Sequence, residues 1–128
     1  MTIRFVTKTV HAFLDYPVAL SLIVTPFLLG LGHGNPLALW LSVATGAAAF
    51  ILTLFTDHAT GVIRVLPYRL HVDVDRLVGG VFMVAPFPLG FQGLEAWYYW
   101  VNGAAVLLVT LVLNAPENEG RAPVLARA

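Results

Sequence analysis

No Asp, Glu, Lys or Arg occurs between Asp15 and Asp57, so residues 16 to 56 form an uncharged run of 41. A bilayer crossing needs about 20 such residues to traverse a hydrocarbon core of roughly 30 Å. The run therefore holds two crossings, divided where Gly30-Leu31-Gly32-His33-Gly34-Asn35-Pro36 supplies turn chemistry. Two further uncharged runs, Leu77 to Leu94 and Ala96 to Pro116, are separated by Glu95 alone. The pattern predicts transmembrane helices at 12–31, 37–56, 74–91 and 96–114. Open strands are excluded, because lipid offers no partner to exposed backbone N–H and C=O groups. Composition points the same way. Charged residues make up 11% of the 128, against roughly 25% in a soluble domain, too few to cover the large surface of so small a protein. Zero net charge leaves a nucleic-acid partner no basic patch, and the absence of cysteine removes disulfides and thiolate sites.

The basic residues are distributed asymmetrically. Arg4 and Lys8 precede the first predicted helix, Arg64, Arg69 and Arg76 lie in or beside the central connection, and Arg121 and Arg127 follow the last helix. The short loops 30–36 and 92–95 carry none. Positive charge is retained on the cytoplasmic side, which places both termini and the central connection there. Trp97-Tyr98-Tyr99-Trp100 then falls at the outer end of the fourth helix and reads as an interfacial aromatic belt.

The two halves also resemble each other. Between His11 and Ala44, ten of 34 positions match the residue 60 further on, including His11/His71, Asp15/Asp75, Pro26/Pro86, Gly30/Gly90 and Trp40/Trp100. A basic start before an apolar stretch also fits a signal peptide, but the equivalent of the first helix is internal, so that helix is expected to be retained. Two copies of two crossings run in the same direction. The expected fold is thus an all-α membrane protein of two parallel tandem helix pairs, related by a pseudo-twofold axis along the membrane normal. The chain divides into a cytoplasmic N-terminal segment (1–10), unit one (11–56), a cytoplasmic connection (57–73), unit two (74–114) and a disordered tail (115–128). Ala44, Ala48, Gly79, Gly80, Gly103 and Ala104 are the small residues expected to let helices approach closely in lipid.

Thr25-Pro26-Phe27 and Ala85-Pro86-Phe87 are each followed by Leu-Gly, and each is preceded by His-x3-Asp. Over about residues 11 to 114 this arrangement resembles the SPW-repeat proteins of bacterial membranes, a family named for a Ser-Pro-Trp motif in a short helix-pair repeat. The resemblance implies a multi-pass protein of the bacterial cytoplasmic membrane and adds no activity. Physically, Pro26 and Pro86 are expected to kink their helices, freeing the carbonyls of Leu22 and Phe82. Thr25 can relieve the first; Ala85 cannot relieve the second.

The paired polar residues are the candidate site. His11 and Asp15 share a helix face, as do His71 and Asp75, and both pairs fall at the inner interface with Asp57, His58 and Asp73. Three readings follow. Asp15 and Asp75 can cap helices one and three, a role Asp favours and one that Pro17 supports as a helix-start residue. The four side chains can bind Zn²⁺, Mn²⁺ or Fe, with a haem between His11 and His71 as a variant. They can also form a titrating or ligand-contacting site. The cap reading is the expectation. His33 is expected to be solvated in the outer loop, and Arg64 and Arg69 to meet lipid headgroups.

No catalytic motif is present. Two function classes stay open: a non-catalytic component of the membrane, acting as a homo-oligomer or within a larger complex, and a metal- or cofactor-binding protein of redox or hydrolytic type. The lack of charge midway along the predicted spans favours the first. A reporter fused after Ala128 is expected to read cytoplasmic; an external signal would reverse the orientation.

Overall fold

The computed structural model describes residues 3 to 116. Arg121, Arg127 and all of the expected tail beyond Pro116 lie outside the described residues. Within them the chain is helical: α1 (Lys8–Leu28), α2 (Pro36–Phe55), α3 (Tyr68–Val84), a short α4 (Pro86–Leu89), α5 (Leu94–Leu107) and a π-helical continuation, Leu108–Leu113. Three helical runs, Lys8–Leu28, Pro36–Phe55 and Leu94–Leu113, are long and apolar enough to cross a membrane. The third expected crossing differs. Its helix begins at Tyr68, six residues before the expected 74, and α3 ends at Val84, where Pro86 can offer no N–H to continue the ladder. Pro86 instead opens α4 at a position suited to proline.

The caps correct the sequence expectation. Thr7 caps α1, its hydroxyl accepting from Val10 N at 3.2 Å, and Pro67 precedes α3 without a side-chain cap. Asp15 and Asp75 therefore stand inside their helices. Pro17 lies inside α1 too and marks no start, and Pro26 is accommodated in its last turns. The carbonyl that Pro26 frees, Leu22 O, is satisfied from the neighbouring helix and not by Thr25: Ser42 Oγ donates to it at 2.7 Å. That commits the Ser42 hydrogen, so Tyr98 OH, 2.6 Å away, is the donor to Ser42 Oγ.

Helices pack as two hairpins, α1 on α2 and α3 on α5, and a glycine sits at each crossing. A Cβ on Gly46 would lie 2.7 Å from Ala19 O and 3.0 Å from Leu22 Cβ; one on Gly103 would lie 2.9 Å from Gly79 O and 3.0 Å from Phe82 Cβ. Gly79 and Gly103 thus serve the close approach expected of them. Gly80 meets nothing within 4 Å, and Gly46, outside the expected set, takes the crossing in the first hairpin.

The hairpins are joined at both ends. At one end Val6 bridges to Asn114 and Thr56 to Leu66, while Arg76 caps the terminal helix by donating to Thr110 O from Nη2 at 2.7 Å and from Nε at 3.2 Å. At the other end the Glu95 carboxylate accepts from Gly32 N and Asn35 N, and Asn35 Nδ2 donates to Leu89 O at 2.7 Å. Beneath these loops lies the apolar core, in which Leu22, Leu31 and Ala38 of one hairpin meet Phe82, Phe91, Tyr98 and Tyr99 of the other. The aromatic run is consequently split. Trp97 is 62% exposed, as a belt residue would be, whereas Tyr99 is fully buried and donates to Ala38 O across the interface at 2.8 Å.

Overpacking a tight crossing costs about 1–3 kcal/mol, whereas Gly to Ala in an open helix position gains up to about 1 kcal/mol. Gly46→Ala should therefore lower the melting temperature in lipid nanodiscs and Gly80→Ala should leave it equal or raise it. The opposite order would contradict the packing.

Candidate functional site

Helical spacing brings His11 and Asp15 onto one face of α1, and His71 and Asp75 onto one face of α3. The hairpins turn those two faces towards each other. His11 Nε2 lies 2.9 Å from Asp75 Oδ2 and 3.2 Å from Asp15 Oδ1. His71 Nε2 lies 3.3 Å from Asp15 Oδ2 and 3.3 Å from Asp75 Oδ2. Each imidazole nitrogen thus faces both carboxylates, and the four ligand-capable atoms all lie within 4.8 Å of one another. Both histidines are buried, at 3% and 2% exposure.

The surrounding residues fix the orientation of this cluster. Thr56 Oγ1 donates to Leu52 O at 2.6 Å, which spends its only hydrogen. Its 2.7 Å contact with His71 Nδ1 must then be a bond donated by the imidazole. His71 Nδ1 therefore carries a hydrogen, with Nε2 aimed at the carboxylates. His58, in the loop after α2, is buried, and burial pushes its imidazole below the usual range. It donates from Nε2 to Asp15 Oδ2 at 3.0 Å. His11 stands edge-on to the Tyr68 ring, with centroids 5.7 Å apart. The Nδ1 atoms of His11 and His58 are buried without a hydrogen-bond partner.

The sequence placed His58 near the inner face and left it out of the site. The only signal was its position, directly after the Thr56-Asp57 pair that closes the second helix. The bis-histidine haem has no room here: the space between the His11 and His71 nitrogens is filled by the two carboxylates. Arg64 is also more local than expected, donating to Ala59 O and Gly61 O of its own loop. Asp73, also on α3, lies outside the cluster and pairs with Arg76 at 3.3 Å.

The cluster opens onto a cavity of about 590 Å³ between the hairpins, walled by residues of α1, α2, α3, α5 and the π-helical turn. Ala44 and Ala48, expected as helix-packing residues, line this cavity instead. No protein-family model, curated protein or solved structure matches the chain.

An unpaired buried donor costs about 1–3 kcal/mol. Thr56→Val removes the acceptor of His71 Nδ1–H and should lower thermal stability on that scale, while Thr56→Ser should preserve it. A valine variant as stable as the serine variant would contradict the hydrogen bond donated by His71 Nδ1 to Thr56.

Proposed function

We propose that the chain is a four-span membrane protein, built from two parallel copies of a helix hairpin, that holds one divalent transition-metal ion on His11, Asp15, His71 and Asp75. The observation that carries the metal reading is the closed ring of four imidazole–carboxylate contacts at 2.9–3.3 Å. His71 uses its Nδ1–H on Thr56. Its Nε2 faces two carboxylate oxygens, an arrangement that requires a cation between them, either a proton on the imidazole or, in its place, a metal ion. Tetrahedral ligands at about 2.1 Å from a shared ion stand roughly 3.4 Å apart, close to the spacing of this ring. Thr56 and His58 are the outer-shell partners that such sites use to orient their ligands.

Placement supports the same reading. Asp15 lies within Lys8–Leu28, one of the runs able to cross a membrane. An ionisable side chain inside a span is expensive and marks function by default.

Support for the duplication comes from the crossings. Gly46 packs on Ala19, Leu22 and Ile23, and Gly103 packs on Gly79, Phe82 and Met83, each exactly 60 residues on from its counterpart in the first set. The glycines themselves are 57 apart, as are Thr53 and Thr110, which both bond to the carbonyl four residues back at 2.8 Å. Seven residues separate α1 from α2 and four separate α4 from α5. That three-residue difference accounts for the change from 60 to 57. In this reading α3 and α4 together make the fourth crossing. The likeness to the SPW repeats adds a bacterial cytoplasmic membrane and rests on the paired Pro-Phe segments.

Protein stripped with chelator should take up one Zn²⁺, Mn²⁺ or Fe²⁺ per chain in nanodiscs. At a free concentration one hundred times Kd, binding adds about 2.7 kcal/mol, so the ion should raise the melting temperature and chelator reverse the rise. Asp75→Asn should abolish uptake, and His58→Gln should weaken it about 10–100-fold. Uptake unaffected by Asp75→Asn would contradict the assignment.

A further inference from the structure

The cavity next to the cluster has walls of one chemical kind. Its apolar surface comes from residues such as Val18, Ala48, Val78 and Val109. Polar side chains do line it, but their hydroxyl donors are already committed to their own helices. Ser21 donates to Val18 O, Thr45 to Leu41 O, Thr53 to Ala49 O and Thr110 to Val106 O. The Asn102 amide donates to Tyr98 O in the same way. The wall hydroxyls therefore leave no donor for a guest; the Asn102 amide keeps one N–H and its Oδ1, and the ionisable groups are the His and Asp side chains at one end. At about 590 Å³ the space falls within the range of ligand pockets, roughly 300–1,000 Å³.

We infer that this cavity binds a single-chain amphiphile whose apolar chain lies between the hairpins and whose uncharged oxygen head, an alcohol or carbonyl, reaches the metal on the His/Asp ring. The inference rests on the metal reading above. The charge of the head follows from the ligand set. Two carboxylates balance a dication, so a further anionic head would bring an uncompensated charge into a low-dielectric site. Added to the four protein ligands, an uncharged oxygen makes the ion five-coordinate without that penalty. The chain end is set by the walls, which are mostly apolar and have spent their hydroxyl donors, so they reward apolar contact over a polar tail.

The test uses the full chain in nanodiscs, loaded with Co²⁺ as an optical reporter of its own coordination. Adding 1-dodecanol should shift the Co²⁺ absorption bands to saturation, while dodecane and dodecanoate should leave them in place. Ala48→Phe and, from the opposite wall, Ala105→Phe fill the cavity away from the ring; at least one should retain one Co²⁺ per chain and lose the dodecanol response. One bound Co²⁺ with no response to dodecanol overturns the amphiphile and leaves the metal site standing. Failure to bind Co²⁺ overturns both. An equal response to dodecanoate overturns the uncharged head, and a response surviving in both metal-competent phenylalanine variants overturns the location.

Discussion

The imidazoles of His11 and His71 meet the carboxylates of Asp15 and Asp75 at the one place, among the described residues, where the two hairpins exchange buried ionisable groups. Each hairpin contributes one imidazole and one carboxylate, so neither can satisfy the cluster alone. His11 of α1 reaches Asp75 of α3 at 2.9 Å, and His71 of α3 reaches Asp15 of α1 at 3.3 Å. Removing one member would leave charge buried beside its former partners, which is far more destabilising than replacing the whole group by apolar residues. The relative position of the hairpins is consequently tied to the cluster's chemistry.

The rest of the molecule is arranged around that tie. At the opposite end the hairpins are joined by an apolar core and by hydroxyls that reach across it: Tyr98 to Ser42, and Tyr99 to Ala38 O. Between core and cluster the hairpins part to form the cavity. The closest helix approaches lie within each hairpin, where Gly46 and Gly103 let backbones touch. In lipid, helices gain little from hiding apolar surface from one another, so such small-residue contacts and buried hydrogen bonds do the joining. Tight hairpins linked only at their ends leave room between them for a third component.

Much of this was legible in the sequence, and the misses have physical causes. Uncharged runs located the helices because charge is so costly in lipid. The His-x3-Asp pairs were visible because helical spacing and repetition are both local properties. Their role was misread because Pro17 resembled a helix-start residue; Thr7 capped α1 further back, and proline was tolerated within the helix. Gly46 was missed because a uniform offset of 60 aligns it with Val106, and only the shorter second loop reveals Gly103 as its counterpart. His58 and Ser42 could not be found by any local rule. Each acts on a residue brought close by tertiary packing, Asp15 in one case and the Leu22 carbonyl in the other.

X-ray absorption at the zinc edge addresses the ring itself, independently of affinity or stability. Protein loaded with one Zn²⁺ per chain should show a first shell of imidazole nitrogen and carboxylate oxygen at about 2.0–2.2 Å, with the outer-ring scattering of two histidines. A shell of oxygen alone, without imidazole scattering, would mean that the ion is held elsewhere and would contradict the account.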